Sequence, residues 1–567
     1  MRNAVTWATL ALGLLPLSVA AQGQVNVTIP SGTITGKAVD NIEVFNGIPF
    51  ADPPIGELRL KPPRKLSTPL GDFDATGAAK LCPQGPTFSQ PIEIPPSCGI
   101  TVAGAVTESF GNPMPEDNQS EDCLTVTIHR PAGTKAGDDL PVLFYIFGGG
   151  FMIGGTSVSV NDPTKFVQAS VELGKPFVFA AVNYRVAGWG FMPGSEILSE
   201  GSANAGLLDQ RMGLEWVADN IAAFGGDPSK VTIWGQSSGS ISVFEQLVLY
   251  DGDATYNGKP LFRAAIMNSG SVTPVDPVNS AKSQELYKHV VKQAGCEGAD
   301  SLACLRGLSN DDFAAAANSV PGLISYESLA LSYLPRPDGK TLTESPHVLA
   351  RKGKFHAVPM IFGSQEDEGT LFSFYQEDMG STDTITNYLS DLYFHNANRS
   401  LVRSFVSTYS ERPEDGSPYR TGTLPVLCPY PGKKRIASIL GDIVFTLIRR
   451  WTLETIDAVR PGLDLWSSFA SYDYLSSPLG TRHGSDTTVF FGKNNTYPPT
   501  LRGRKYYINF VHNMDPNEGL PVNVTWPKYT EGKQLLWYNF WADTLRTDDF
   551  RSNTSDFIKD HIDSLRF

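Results

Sequence analysis

The 567-residue sequence is short of positive charge: 46 Lys and Arg stand against 59 Asp and Glu, a formal net charge of −13. A surface of that sign repels polyanions, which argues against nucleic acid as a partner. Long apolar runs are scarce as well. Residues 4–19 are almost wholly apolar or small, follow Arg2 and precede small residues at 18–21, the pattern of a secretory leader. The run is short for a membrane-spanning helix and no stop-transfer pattern follows it. The last ten residues carry charges and no hydrophobic tail, so no lipid-anchor signal is present. The expectation is a leader at 1–21, a mature extracellular chain at 22–567 and no integral membrane anchor. Internal repeats, low-complexity linkers and long charge runs are also missing. The basic clusters Lys433-Lys434-Arg435 and Arg449-Arg450 read as solvated helix faces.

Cysteine is sparse, at six residues. In an oxidising compartment these are expected in disulfides. Cys296 and Cys304 are near enough in sequence to close a small loop, and Cys82 and Cys123 a larger one. Cys98 and Cys428 are left over, and sequence alone leaves the connectivity open. Six N-glycosylation sequons fit secretion: Asn26, Asn118, Asn398, Asn494, Asn523 and Asn553.

What is present is an alternation of strand and helix. Residues 26–35 suggest an opening hairpin around Ser31-Gly32, and residues 125–129 another strand. Residues 142–147 and 176–183 are continuous apolar runs, as buried parallel strands are. Residues 207–224 predict a helix with Leu214, Val217, Ile221 and Phe224 on one face, ended by Gly225-Gly226. This alternation means an α/β fold. Length alone suggests two or more domains.

The stretch most loaded with chemistry is 231–242, VTIWGQSSGSIS. An apolar β-branched run turns through Gly235-Gln236-Ser237-Ser238-Gly239 into a helix-competent segment. Strand, G-x-S-x-G and helix make a nucleophile elbow, with Ser237 on the turn. Upstream, the strand at 142–147 ends at Gly148-Gly149-Gly150. Such a loop can turn the Gly149 and Gly150 N–H groups, with Ser238 N–H, toward an oxyanion. A serine nucleophile needs a base, and the base a carboxylate. In the chain order Ser, acid, His, the acid comes from Glu366-Asp367-Glu368, after a strand-like run at 360–363. Of the four histidines beyond that loop, His483 has the best setting, a Gly-rich loop after an aromatic strand-like run. Residues 87–114 carry only Glu93 and Glu108 as charges and are partly amphipathic, which suggests either a mobile flap or a surface loop packed permanently on the body.

These residues together resemble the type-B carboxylesterase/lipase family, which includes cholinesterases. The likeness is greatest to fungal extracellular lipases of the Candida rugosa and Geotrichum kind. It rests on 45–63 (FNGIPFADPPIGELRLKPP), 120–124, 148–151, 183–191 (NYRVAGWGF), 201–231, 367–370 and 479–486. The resemblance implies one α/β-hydrolase domain at 22–567: a large, mostly parallel central sheet flanked by helices, with a disulfide-tethered lid-like loop at 83–122. It implies Ser237 as nucleophile, Glu368 as acid and His483 as base. Gly149, Gly150 and Ser238 match the oxyanion positions. Leu371 and Phe372 match residues lining the acyl site, and Ser269 a serine near the acid. It pairs Cys82 with Cys123 and Cys296 with Cys304. The sequence departs from the family at Gln236, where Glu is usual, and at Ser238, where Ala is usual.

The expected activity is hydrolysis of carboxylic esters, with lipid esters favoured by the uncharged lid and acyl wall. No metal or organic cofactor is implied. The partner is an ester substrate, met at a lipid–water interface if the lid reading holds; oligomeric state is not legible. Sterol esters and aromatic-acid esters remain open as substrates. The rival readings are an acyltransferase and a non-catalytic cholinesterase-like binding domain.

Overall fold

The computed structural model describes residues 23–88, 104, 118–424, 427–492 and 495–567. Its strands are β1 (Gln24–Ile29), β2 (Gly32–Val39), β3 (Ile42–Pro49), β4 (Gly71–Asp74), β5 (Thr125–Pro131), β6 (Leu140–Ile146), β7 (Val178–Val182) and β8 (Gly226–Gln236). They continue with β9 (Thr255–Tyr256), β10 (Lys259–Pro260), β11 (Ala264–Asn268), β12 (Met360–Gln365), β13 (Leu465–Ala470), β14 (Gln534–Tyr538) and β15 (Thr544–Thr547). Thirteen of these form one sheet in the order β1-β2-β3-β5-β7-β6-β8-β11-β12-β13-β14-β15, with β4 beside β2 and β9–β10 as a separate pair. Neighbours from β7 through β14 run parallel. The path from β1 to β7 and the β14–β15 edge are antiparallel.

Sequence and position agree across the sheet. β7, β11, β12 and β13 are buried at every residue, as strands covered on both faces must be, and none alternates polar with apolar. Helix Ala205–Asn220 packs on β7 and β8, and helix Leu447–Val459 on β12. The helix expected at 207–224 begins two residues earlier, and its last turn, Ile221–Phe224, tightens to a 3-10 helix before Gly225 at φ 85°. Beneath the elbow, Trp234 is wedged among Tyr145, Phe490, Phe491 and Tyr507, and its indole N–H donates to Asn268 Oδ1 at 2.9 Å. A large ring with its one polar atom satisfied fixes the strand that delivers Ser237.

The basic clusters are not solvated. Lys433, Lys434, Arg435, Arg449 and Arg450 are all buried. Lys433 Nζ donates to Ser373 O and Lys434 Nζ to Thr421 Oγ1, each at 2.7 Å. Arg449 and Arg450 both pair with Asp548, at 2.8 and 2.7 Å. Burial opposes the Asp548 charge, but the two guanidiniums prevail and hold its carboxyl below the usual range. A clipped acid leaves two buried cations unmatched. Asp548→Ala is therefore expected to cost about 3–5 kcal/mol of unfolding free energy, read by denaturant titration; a cost under about 1 kcal/mol would show the pair to be solvated after all.

Cys82–Cys123 and Cys296–Cys304 are disulfides, with Cα–Cα distances of 5.0 and 5.5 Å. Cys428 is also disulfide-bonded; Cys98 lies outside the described residues. Of the expected lid, 83–122, only 83–88, 104 and 118–122 are described. Both ends are pinned. Gly85 N–H donates to Met152 O at 2.7 Å. Glu121 receives Arg59 at 2.6 Å and the Trp189 indole at 3.2 Å. Among the sequons, Asn26, Asn398, Asn523 and Asn553 are exposed, Asn118 is half-buried, and Asn494 lies outside the described residues. No helix among the described residues is long and apolar enough to cross a membrane.

Candidate active site

The site is assembled where three parallel strands end. β8 runs into helix Ser238–Gly252 through Ser237, which holds φ 58° and ψ −130°. A non-glycine residue at positive φ stores backbone strain. The turn is possible because its flanking residues lack side chains. A Cβ on Gly235 would lie 2.1 Å from Gly239 O, and one on Gly239 would lie 2.1 Å from Ile146 O. Ser237 N–H donates to Asn268 O at 2.9 Å, tying the elbow to the end of β11.

His483 Nε2 lies 2.8 Å from Ser237 Oγ, and His483 Nδ1 lies 2.6 Å from Glu368 Oε2. A carboxylate only accepts, so Nδ1 carries the proton and Nε2 is left to accept from the serine hydroxyl. Glu368 Oε1 accepts from Gln365 N–H at 2.7 Å. All three side chains are buried. The imidazole packs against a stacked pair of rings, Phe445, at 4.4 Å between centroids, and Phe372, at 5.1 Å. The residues expected as nucleophile, base and acid are thus brought into one hydrogen-bonded line. A serine on such a line has the proton acceptor that a nucleophilic hydroxyl requires.

The acid loop was legible only as three adjacent carboxylates, and all three are buried rather than solvated. Glu366 pairs with Arg420, Nε to Oε1 at 2.8 Å. Asp367 accepts from Ser417 Oγ at 2.9 Å, Tyr419 N–H at 2.8 Å and Thr481 N–H at 3.0 Å. The last bond joins the acid loop to the His483 loop. Burial first, and the Glu366 charge second, push Asp367 up to about 7. Gly480 packs against the same carboxylate: a Cβ there would meet Asp367 Oδ2 at 2.0 Å.

The glycine loop lies against the elbow. A Cβ on Gly148 would come 2.8 Å from Ser237 Cβ, and Gly149 and Gly150 hold φ of 121° and 63°. Ser238 opens the helix behind Ser237, where N–H groups have no intrahelical acceptor. Leu371 is buried beside Phe372. Ser269 is also buried, at φ 56°, and its hydroxyl has no hydrogen-bond partner among the described residues.

Two contacts escaped the sequence reading. Phe445 stands 77 positions after Glu368 with no motif around it. Asp486, within the matched stretch 479–486, lies buried near the dyad, and burial first, then the Glu368 charge, push it up to about 6. Gln236 stands where the family usually has Glu. Its amide Nε2 lies 3.3 Å from His483 Nε2, so it shares the nitrogen that faces Ser237. A carboxylate there would favour the protonated imidazole. Gln236→Glu is expected to move the acid limb of the kcat/KM–pH profile up by about one unit; an unmoved limb would show that residue 236 does not sense the imidazole.

Known proteins resemble this chain along nearly its whole length. The carboxylesterase family profile matches residues 23–554. The "Secreted triacylglycerol lipase LIP1" of Gibberella zeae is 52% identical over 550 residues, covering 96% of this chain and 91% of its own. "Secreted lipase 1" of Botryotinia fuckeliana is 49% identical, covering 96% and 94%. The crystal structure of Aspergillus niger EstA superposes with a TM-score of 0.78 at 22% identity, covering 96% of this chain and 99% of that one, and so shares the fold. The chain belongs to the carboxylesterase family and has the α/β-hydrolase fold.

Proposed function

We propose that the protein is a secreted serine hydrolase of carboxylic esters, acting on lipid esters. The observation that carries the reading is the line Glu368–His483–Ser237, with both bonds at 2.8 Å or less. Ser237 Oγ attacks the ester carbonyl as His483 Nε2 takes its proton. Glu368 keeps the imidazole oriented and stabilises its cation. The N–H groups of Gly149, Gly150 and Ser238 receive the oxyanion, each worth about 3–4 kcal/mol in the transition state. His483 then protonates the leaving alcohol and later activates water against the acyl-enzyme.

Lipid esters are favoured by the apolar wall of Leu371 and Phe372, by the weakly charged segment 87–114, and by the names of the relatives, two of them secreted fungal lipases. The same names, the leader at 1–21 and the exposed sequons support secretion. A p-nitrophenyl ester series run beside emulsified triglyceride tests the substrate class. Long-chain turnover that rises once substrate exceeds its solubility is expected. Activity confined to short soluble esters would leave an ordinary carboxylesterase.

A further inference from the structure

A pocket of about 200 Å³, lined by none of Ser237, Glu368 and His483, opens at the β14–β15 edge of the sheet. Arg420, Arg546 and Arg551 line it together with Phe469, Trp537 and Phe550. Two of the cations are matched: Arg420 with Glu366 and Arg551 with Asp442. Arg546 is not. It lies over the Trp537 ring and makes no ion pair among the described residues. The pocket therefore holds one surplus positive charge beside an aromatic and aliphatic wall. A bare anion would leave the wall unused, and a neutral lipid would leave the cation unmatched. An amphiphile with one negative head satisfies both.

We infer that this pocket binds the carboxylate of a medium-chain fatty acid, with the head on Arg546 and the chain along Phe469 and Phe550, and that occupancy slows turnover. That the ligand is the enzyme's own product rests on the function proposed above. The route to the site is short. Arg420 is bonded to Glu366, two residues before Glu368, and its neighbour Tyr419 donates to Asp367, which in turn holds Thr481, two residues before His483. Arg420 stacks on the same Trp537 ring as Arg546, so a carboxylate on Arg546 also draws Arg420 from Glu366 and loosens the brace shared by the acid and the base.

Calorimetric titration of octanoate, below its micelle concentration, into the Ser237→Ala protein reads binding without turnover. Loss of all ester hydrolysis in the wild type would overturn the proposed function and leave this binding readout standing. Adding Arg546→Gln is expected to remove one site, weakening it about tenfold or more, with acetate and inorganic phosphate failing to fill it. In the active enzyme, Arg546→Gln alone should keep its uninhibited kcat and lose the non-competitive part of octanoate inhibition. Arg546 is on an exposed edge strand, so the variant folds; Arg546→Glu provides a second with the same outcome. An isotherm unchanged by either substitution, purely competitive inhibition in the wild type, or equal binding of acetate would overturn the inference.

Discussion

Ser237→Ala is expected to lower kcat by about 10⁵–10⁶-fold, His483→Ala by a similar factor, and the double variant by no more than either alone. The reason lies in the line the two residues form. The hydroxyl is useful only with a base 2.8 Å away to take its proton, and the base has no other substrate-facing task in the first step. Removing either member removes the same step. What survives comes from the oxyanion donors and substrate binding, which the substitutions leave in place. The comparison of single and double variants is the informative part. Two independent residues would multiply their losses, whereas a nucleophile–base pair does not. Multiplicative losses would show that His483 acts elsewhere in the reaction.

Glu368→Gln should cost about 10⁴-fold in kcat with the fold intact. Its effect follows from which oxygen does what. Oε1 accepts from Gln365 N–H at 2.7 Å, and Oε2 faces His483 Nδ1 at 2.6 Å. A glutamine must keep its carbonyl toward the Gln365 donor, which turns its NH₂ toward Nδ1. The imidazole then presents an unprotonated Nδ1 to that NH₂ and carries its proton on Nε2. In that tautomer it cannot accept from Ser237. Glu368→Asp keeps the charge but falls short by one methylene, so it is expected to retain more activity than the glutamine variant. Measured kcat for both, beside unchanged thermal unfolding, tests the orientation. Near wild-type activity in Glu368→Gln would mean that the carboxylate is not what sets the tautomer.

The sequence carries the site unevenly, and distance explains why. The elbow was legible because strand, turn and helix lie within a dozen residues, and each of Gly235, Ser237 and Gly239 has a local reason to be there. The strand runs at 142–147 and 176–183 were legible because a strand buried on both faces is apolar throughout. The choice of Glu368 over Glu366 and Asp367 was not local. It depends on Arg420 and on the N–H groups of Tyr419 and Thr481, which claim the other two carboxylates from 50 or more positions away. Only the family resemblance selected it. The buried cations were misread for the same reason. Arg449 and Arg450 look solvated until Asp548, 98 positions beyond Arg450, is brought to them. Phe445 belongs with these: a ring over an imidazole leaves no mark on the sequence between them.

We propose that Ser237 alone forms the acyl bond, under the control of His483. A long-chain alkyl phosphonate carrying a p-nitrophenol leaving group tests it directly, with the modified peptide identified by mass spectrometry. One adduct is expected, on the peptide containing Ser237, absent from Ser237→Ala and formed far more slowly in His483→Ala. An adduct on another residue, or undiminished labelling in Ser237→Ala, would contradict it.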